Sequence, residues 1–110
     1  MFNRLRQLLI ISFGGALSLP GSAFAYDGSA NDTISQIDVS DDTNLGLRVY
    51  FANSTACGNT NNWAYVLSTD PNFQIYAAVL AEAKVMGSTV TVFSTRDSRG
   101  YCHLGYVQLH

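Results

Sequence analysis

The chain is short of charge, cysteine and proline, and each shortage removes a class of protein. Only 13% of its 110 residues are charged, six Lys or Arg against eight Asp or Glu, so it has no basic stripe to follow a nucleic-acid backbone or an anionic membrane. Two cysteines and two histidines, His103 and the terminal His110, fall short of the three or four converging ligands that a zinc site wants, and no metal or cofactor is expected. The longest apolar run, "LLIISFGGALSL", is shorter than the roughly 20 residues of an ordinary spanning helix, and no second run follows it. Repeats, low-complexity tracts and internal linkers are absent.

What is present begins with an export signal. Arg4 and Arg6 precede the apolar run, Pro20 and Gly21 break it, and Ala23-Phe24-Ala25 supplies the small-x-small pattern that signal peptidase accepts. The expectation is a cleaved signal over residues 1–25 and a secreted or periplasmic protein. The remaining 85 residues suffice for one small domain and carry four basic groups against eight acidic ones, a net charge of about −4. Residues 26–33, "YDGSANDT", read as a flexible polar arm, and 34–110 as the domain.

Cys57 and Cys102 both fall in the exported part, where an oxidising compartment favours a disulfide. Closing a loop of about 45 residues stabilises a fold by roughly 4 kcal/mol in the chain-entropy model, a large share for a domain of this size. A catalytic Cys102–His103 dyad is the weaker alternative. "YCHLGYVQL" reads as a strand, and neighbouring strand residues point to opposite faces.

The order of elements is legible from periodicity. "TISQIDVS" is a strand with Ile37 and Val39 on one face and Ile34, Gln36 and Asp38 on the other, and "DDTN" is a turn. In "LGLRVYF", Leu45, Leu47, Val49 and Phe51 alternate with Gly46, Arg48 and Tyr50, so one face is buried. After the polar loop "ANSTACGNTNN" comes "WAYVLST", with Trp63, Tyr65 and Leu67 sharing a face. Asp70-Pro71 predicts a helix start and Gly87 its stop. Along it, Phe73, Tyr76, Ala77, Leu80 and Ala83 form an apolar stripe, yet Ile75, Ala78, Val79, Glu82 and Met86 opposite are hardly more polar. Since so small a domain can hardly surround a helix, the second face is expected to pack in a homo-oligomer, with Ile75, Val79, Glu82 and Met86 at the interface. "STVTVFST", the turn "RDSRG" and "YCHLGYVQLH" complete the chain as two strands.

This is a mainly β chain with one helix, in the order β-β-β-α-β-β of an OB-fold-like five-stranded barrel. The secreted frame, Cys57 before the third strand, the segment "LAEAKVMGSTVTVF" and Cys102 in the last strand resemble small bacterial exported proteins of OB-fold type. In architecture the chain is also similar to the B subunits of AB-type toxins. That likeness implies a pentameric, glycan-binding protein whose helices line a central pore, and no individual sugar contact carries over.

The candidate ligand surface follows from the barrel. Arg48 and Tyr50 point outward from the second strand, the loops 41–44 and 95–100 flank it, and Asn53, Asn61, Asn62 and Trp63 add amides and an aromatic plane suited to sugar hydroxyls and ring faces. The expected function is a non-enzymatic binding module for a glycan or protein partner, the alternative being a structural or inhibitory envelope protein without a small ligand. His103, Asp97 and Glu82 are the groups an enzyme would use, but their spacing implies no site. A calcium cluster of Asp38, Asp41 and Asp42 lacks the Gly and closing Glu of a known loop. Asn31 and Asn53 begin glycosylation sequons that matter only in a eukaryotic host.

Overall fold

A computed structural model describes residues 25–110. The signal segment expected at the N-terminus lies outside the described residues but for its last one. Strands β1 (Gly28–Asp32), β2 (Ile34–Val39), β3 (Leu47–Phe51) and β4 (Trp63–Val66) are followed by helix α1 (Phe73–Met86) and strands β5 (Val90–Arg96) and β6 (Cys102–Leu109). Among the described residues the fold is mainly β with one α-helix, and the strands form one mixed sheet ordered β1-β5-β6-β4-β3-β2. Neighbours are antiparallel except β4 and β6, which run parallel. The strands at the two ends of that order are consecutive in the chain, separated by Thr33 alone.

The structure has six strands where five were expected, because residues 28–32 are strand β1 and not part of a loose arm. Their composition hides this, since Gly, Ser, Asn and Asp are poor strand formers and only Ala30 is buried. The strand is held from outside. It pairs along its whole length with β5, and the Asp27 carboxylate takes the Arg96 amide at 2.6 Å. A Cβ on Gly28 would stand 2.8 Å from the backbone at Cys57, so only glycine lets β1 pass there.

Two further expectations are corrected. In β2 a bulge between Ile34 and Gln36 shifts the alternation, so that Ile34 joins Ile37 in facing the core. Asp70 does not cap the helix. Its carboxylate accepts from the Leu67 amide and contacts His103, the chain then turns through Asn72 at φ 66°, and α1 begins at Phe73 without a side-chain cap. The far end is as expected, with Gly87 at φ 67° bonding back to the last helical turn.

Strand β3 alternates without exception: Leu47, Val49 and Phe51 are buried, while Arg48 and Tyr50 are half-buried on the other side. The inward face continues through Ala64, Val66, Val90, Val92 and Leu104 and is covered by Leu80 and Ala83 of the expected helix stripe, with Phe73, Tyr76 and Ala77 at its margin. The disulfide joins Cys57 to Cys102, both fully buried, with Cα atoms 5.6 Å apart. Ser94, the buried polar residue beneath it, donates to the Ala56 carbonyl.

Candidate functional site

The opposite face of the same strands is aromatic and charged. Pairing places Tyr50 of β3 beside Trp63 of β4, with ring centroids 6.3 Å apart. Trp63 in turn lies 5.3 Å from Tyr101 at the start of β6, and the Arg99 guanidinium stands 5.1 Å from the Tyr101 centroid. These four side chains make a continuous row from β3 across β4 to the β5–β6 turn. Strand alternation produces it. Once the disulfide turns Cys102 inward, Tyr101 and His103 must face out.

A second row lies beside the first. Arg48 pairs with Tyr65 across β3 and β4, and Tyr65 stacks on His103 of β6 at 4.8 Å with the rings nearly parallel. Carboxylates flank both rows. Asp38 accepts from the Tyr50 hydroxyl at 3.0 Å and lies 3.7 Å from Arg48. Asp97 accepts from the Tyr65 hydroxyl at 2.6 Å and pairs with Arg99 at 3.1 Å, and Asp70 meets His103 at 2.7 Å.

The electrostatics follow from these contacts. Burial, reinforced by the Asp97 hydrogen bond, pushes the Tyr65 hydroxyl up to about 12. Burial works to raise Asp97 as well, but donors from Tyr65, the Tyr101 and Arg99 amides and the Arg99 side chain outweigh it and hold the carboxyl at about 2. Asp38 is lowered by Gln36 and Tyr50 and, more weakly, by Arg48. Arg48 Nε is the buried side-chain polar atom without a hydrogen-bond partner among the described residues.

Of the residues singled out from sequence, Arg48, Tyr50 and Trp63 come together on this face. The three asparagines lie in the loop before β4, where the Asn62 side chain donates to the Phe51 carbonyl, the Asn61 backbone N–H donates to the Asn59 side chain, and the Asn53 backbone N–H donates to Asp32. Tyr101, Arg99 and Asp38 belong to the surface and were not named for it; the inward Cys102 was the signal for Tyr101. His103 and Asp97 are linked only through Tyr65, and Glu82 lies exposed on the helix. Asp38, Asp41 and Asp42 are committed to separate partners, Asp42 to Ser68 and Asp41 to Thr43 and Asn44, and no group of three metal-ligating side chains gathers among the described residues.

On the helix, Ile75 and Met86 are exposed by 62% and 66%, Val85 still more, and Val79 is half-buried. Two open clefts lie at its N-terminal end. One of about 480 Å³ is lined by Ser68, Asp70 and residues 72–75; the other, of about 260 Å³, runs past His103, Thr95 and Tyr76. No helix among the described residues is long and apolar enough to cross a membrane. No family model matches the chain, and neither curated proteins nor solved structures yield a similar one.

Proposed function

We propose that the protein is an exported, non-enzymatic binding module that takes a glycan or protein partner on the outer face of β3, β4 and β6. The observation that carries this is the row Tyr50–Trp63–Tyr101 with Arg99 at its end: three aromatic rings and a guanidinium on the solvent side of a sheet whose core is already complete on the other. Such rings cover the apolar face of a sugar or a partner's side chain, while the flanking Asp38, Asp97 and Arg48 offer hydrogen bonds at the rim.

In this reading β1 and β2 act as one strand bent at Thr33, and the sheet is a five-stranded barrel of OB type. Support comes from the single-residue link, the antiparallel pairing of β1 with β5 and β2 with β3, and the parallel β4–β6 contact. The face of β3 and β4 is then where ligands of such barrels usually sit, beside the turns at 41–44 and 95–100. Export rests on the signal pattern and on the disulfide, which suits an oxidising compartment. Assembly into a homo-oligomer through Ile75, Val79, Glu82 and Met86 rests on the exposed apolar side of α1.

A glycan array probed with wild-type protein and with Tyr50→Ala tests the reading. Wild type is expected to bind a defined set of glycans and Tyr50→Ala to lose them while keeping its melting temperature. Equal binding by both proteins removes the surface from consideration. Absence of any glycan binding moves the assignment to a protein partner.

A further inference from the structure

The proposed surface is built across the weakest junction in the sheet. Every other neighbouring pair of strands shares a ladder of four to seven registered residues, whereas β4 and β6 share one, Tyr65 opposite His103. Side chains close the gap. The Cys57–Cys102 bond crosses it, the Asn59 side chain donates to the Gly100 carbonyl at 2.8 Å, Tyr65 reaches Asp97, and Asp70 reaches His103. Trp63 and Tyr101, the centre of the aromatic row, stand on opposite sides.

We infer that the disulfide is the clasp of a composite surface: with the bond intact the two halves of the aromatic row form one platform, and with it broken they part along the β4–β6 seam. The inference rests on the binding role proposed above for that surface. Two features keep the opening local. Helix α1 packs on β2 and β6 and so ties the halves together from within, and β1 and β2 remain joined at Thr33, where Asp32 holds the Asn53 and Ser54 amides. Binding then becomes dependent on redox state. A dithiol reductant breaks the bond by forming a mixed disulfide with one sulfur and resolving it with its second thiol. This transfers two electrons and two protons to give two cysteine thiols and an oxidised, disulfide-bonded reductant. Both sulfurs are buried, so attack requires the seam to open first.

Trp63 is the only tryptophan in the chain and sits at the seam, which gives a readout that needs no ligand. Acrylamide quenching, emission maximum and far-ultraviolet circular dichroism are measured on oxidised protein, on protein reduced with dithiothreitol, and on the Cys57→Ala/Cys102→Ala variant, in which access to the sulfurs is not limiting. The expected result is a red shift and an increase of about two-fold or more in quenching with the dichroism retained, as befits a local opening. An oxidised Asn59→Ala variant should move the same way by less. Unchanged quenching in the double variant overturns the inference, and so does cooperative loss of the whole dichroism signal, which would make the bond a global staple. The same samples go onto the glycan array, where breaking the bond should weaken any binding about ten-fold or more, as loss of half a contact cluster does. If oxidised protein binds nothing there, the glycan reading fails while the quenching result still decides the seam.

Discussion

The two faces of β3 and β4 carry opposite chemistry on the same few residues. Inward, Val49, Phe51, Ala64 and Val66 are fully buried aliphatic and aromatic groups that meet α1 and β5. Outward, Arg48, Tyr50 and Trp63 stay half-buried and spend aromatic surface and an ion pair beside Asp38 and Tyr101, while Tyr65 is buried against His103 and Asp97. The first face accounts for the fold. The second exceeds what the fold needs, because an outward strand position is satisfied by any polar or β-branched residue. Substitutions on the two faces should therefore separate stability from recognition.

The largest effect belongs to the inner face. Phe51→Ala should cost about 3–5 kcal/mol, since it removes a fully buried ring and leaves a cavity. Chemical denaturation should read this as a lower midpoint. A loss below about 1 kcal/mol would mean that the two faces are less distinct than their burial indicates.

Next comes the helix. Light scattering of the folded protein should give several times the monomer mass, and Val79→Glu should return it to monomer, because an unpaired charge buried at an interface costs several kcal/mol. A monomeric wild type would leave the exposed side of α1 without a homomeric partner.

A smaller effect is expected at low pH on the outer face. Asp97 titrates at about 2 in the folded chain, below the ordinary 3.8, so the folded state holds fewer protons between those values than the unfolded one. The stability from its contacts is present above about pH 4 and is lost as the pH falls towards about 2. Asp97→Asn should flatten that part of the acid unfolding profile, and an unaltered slope would contradict the Tyr65–Asp97 contact.

How far the sequence reveals these two faces depends on the range of the contacts involved. Strand β3 is legible because alternation is local, and the helix stripe for the same reason. The disulfide is legible because only two cysteines exist to pair. Strand β1 is not, because its pairing with β5 comes from residues some sixty positions away and its own side chains contribute little. Nor is the role of Asp70, whose Asp-Pro context matches a helix cap while His103, thirty-three residues on, competes for the carboxylate. The outward Arg48, Tyr50 and Trp63 can be read from periodicity, but the row they begin is completed by Tyr101 and Arg99, which the disulfide brings to the seam. Of the three asparagines, Asn62 turns its side chain to the Phe51 carbonyl, a common use of asparagine in an irregular loop, while Asn53 and Asn61 are held there through their backbone amides.

The measurement that bears most directly on the separation of faces is a paired one on Trp63→Ala, at the centre of the outer row: thermal unfolding and glycan-array binding on the same preparation. The account predicts a limited loss of stability, about 1–3 kcal/mol for the two aromatic pairs lost, and a correspondingly modest fall in melting temperature, with loss of whatever the wild type binds. A large drop in melting temperature, or binding that survives the substitution, would contradict it.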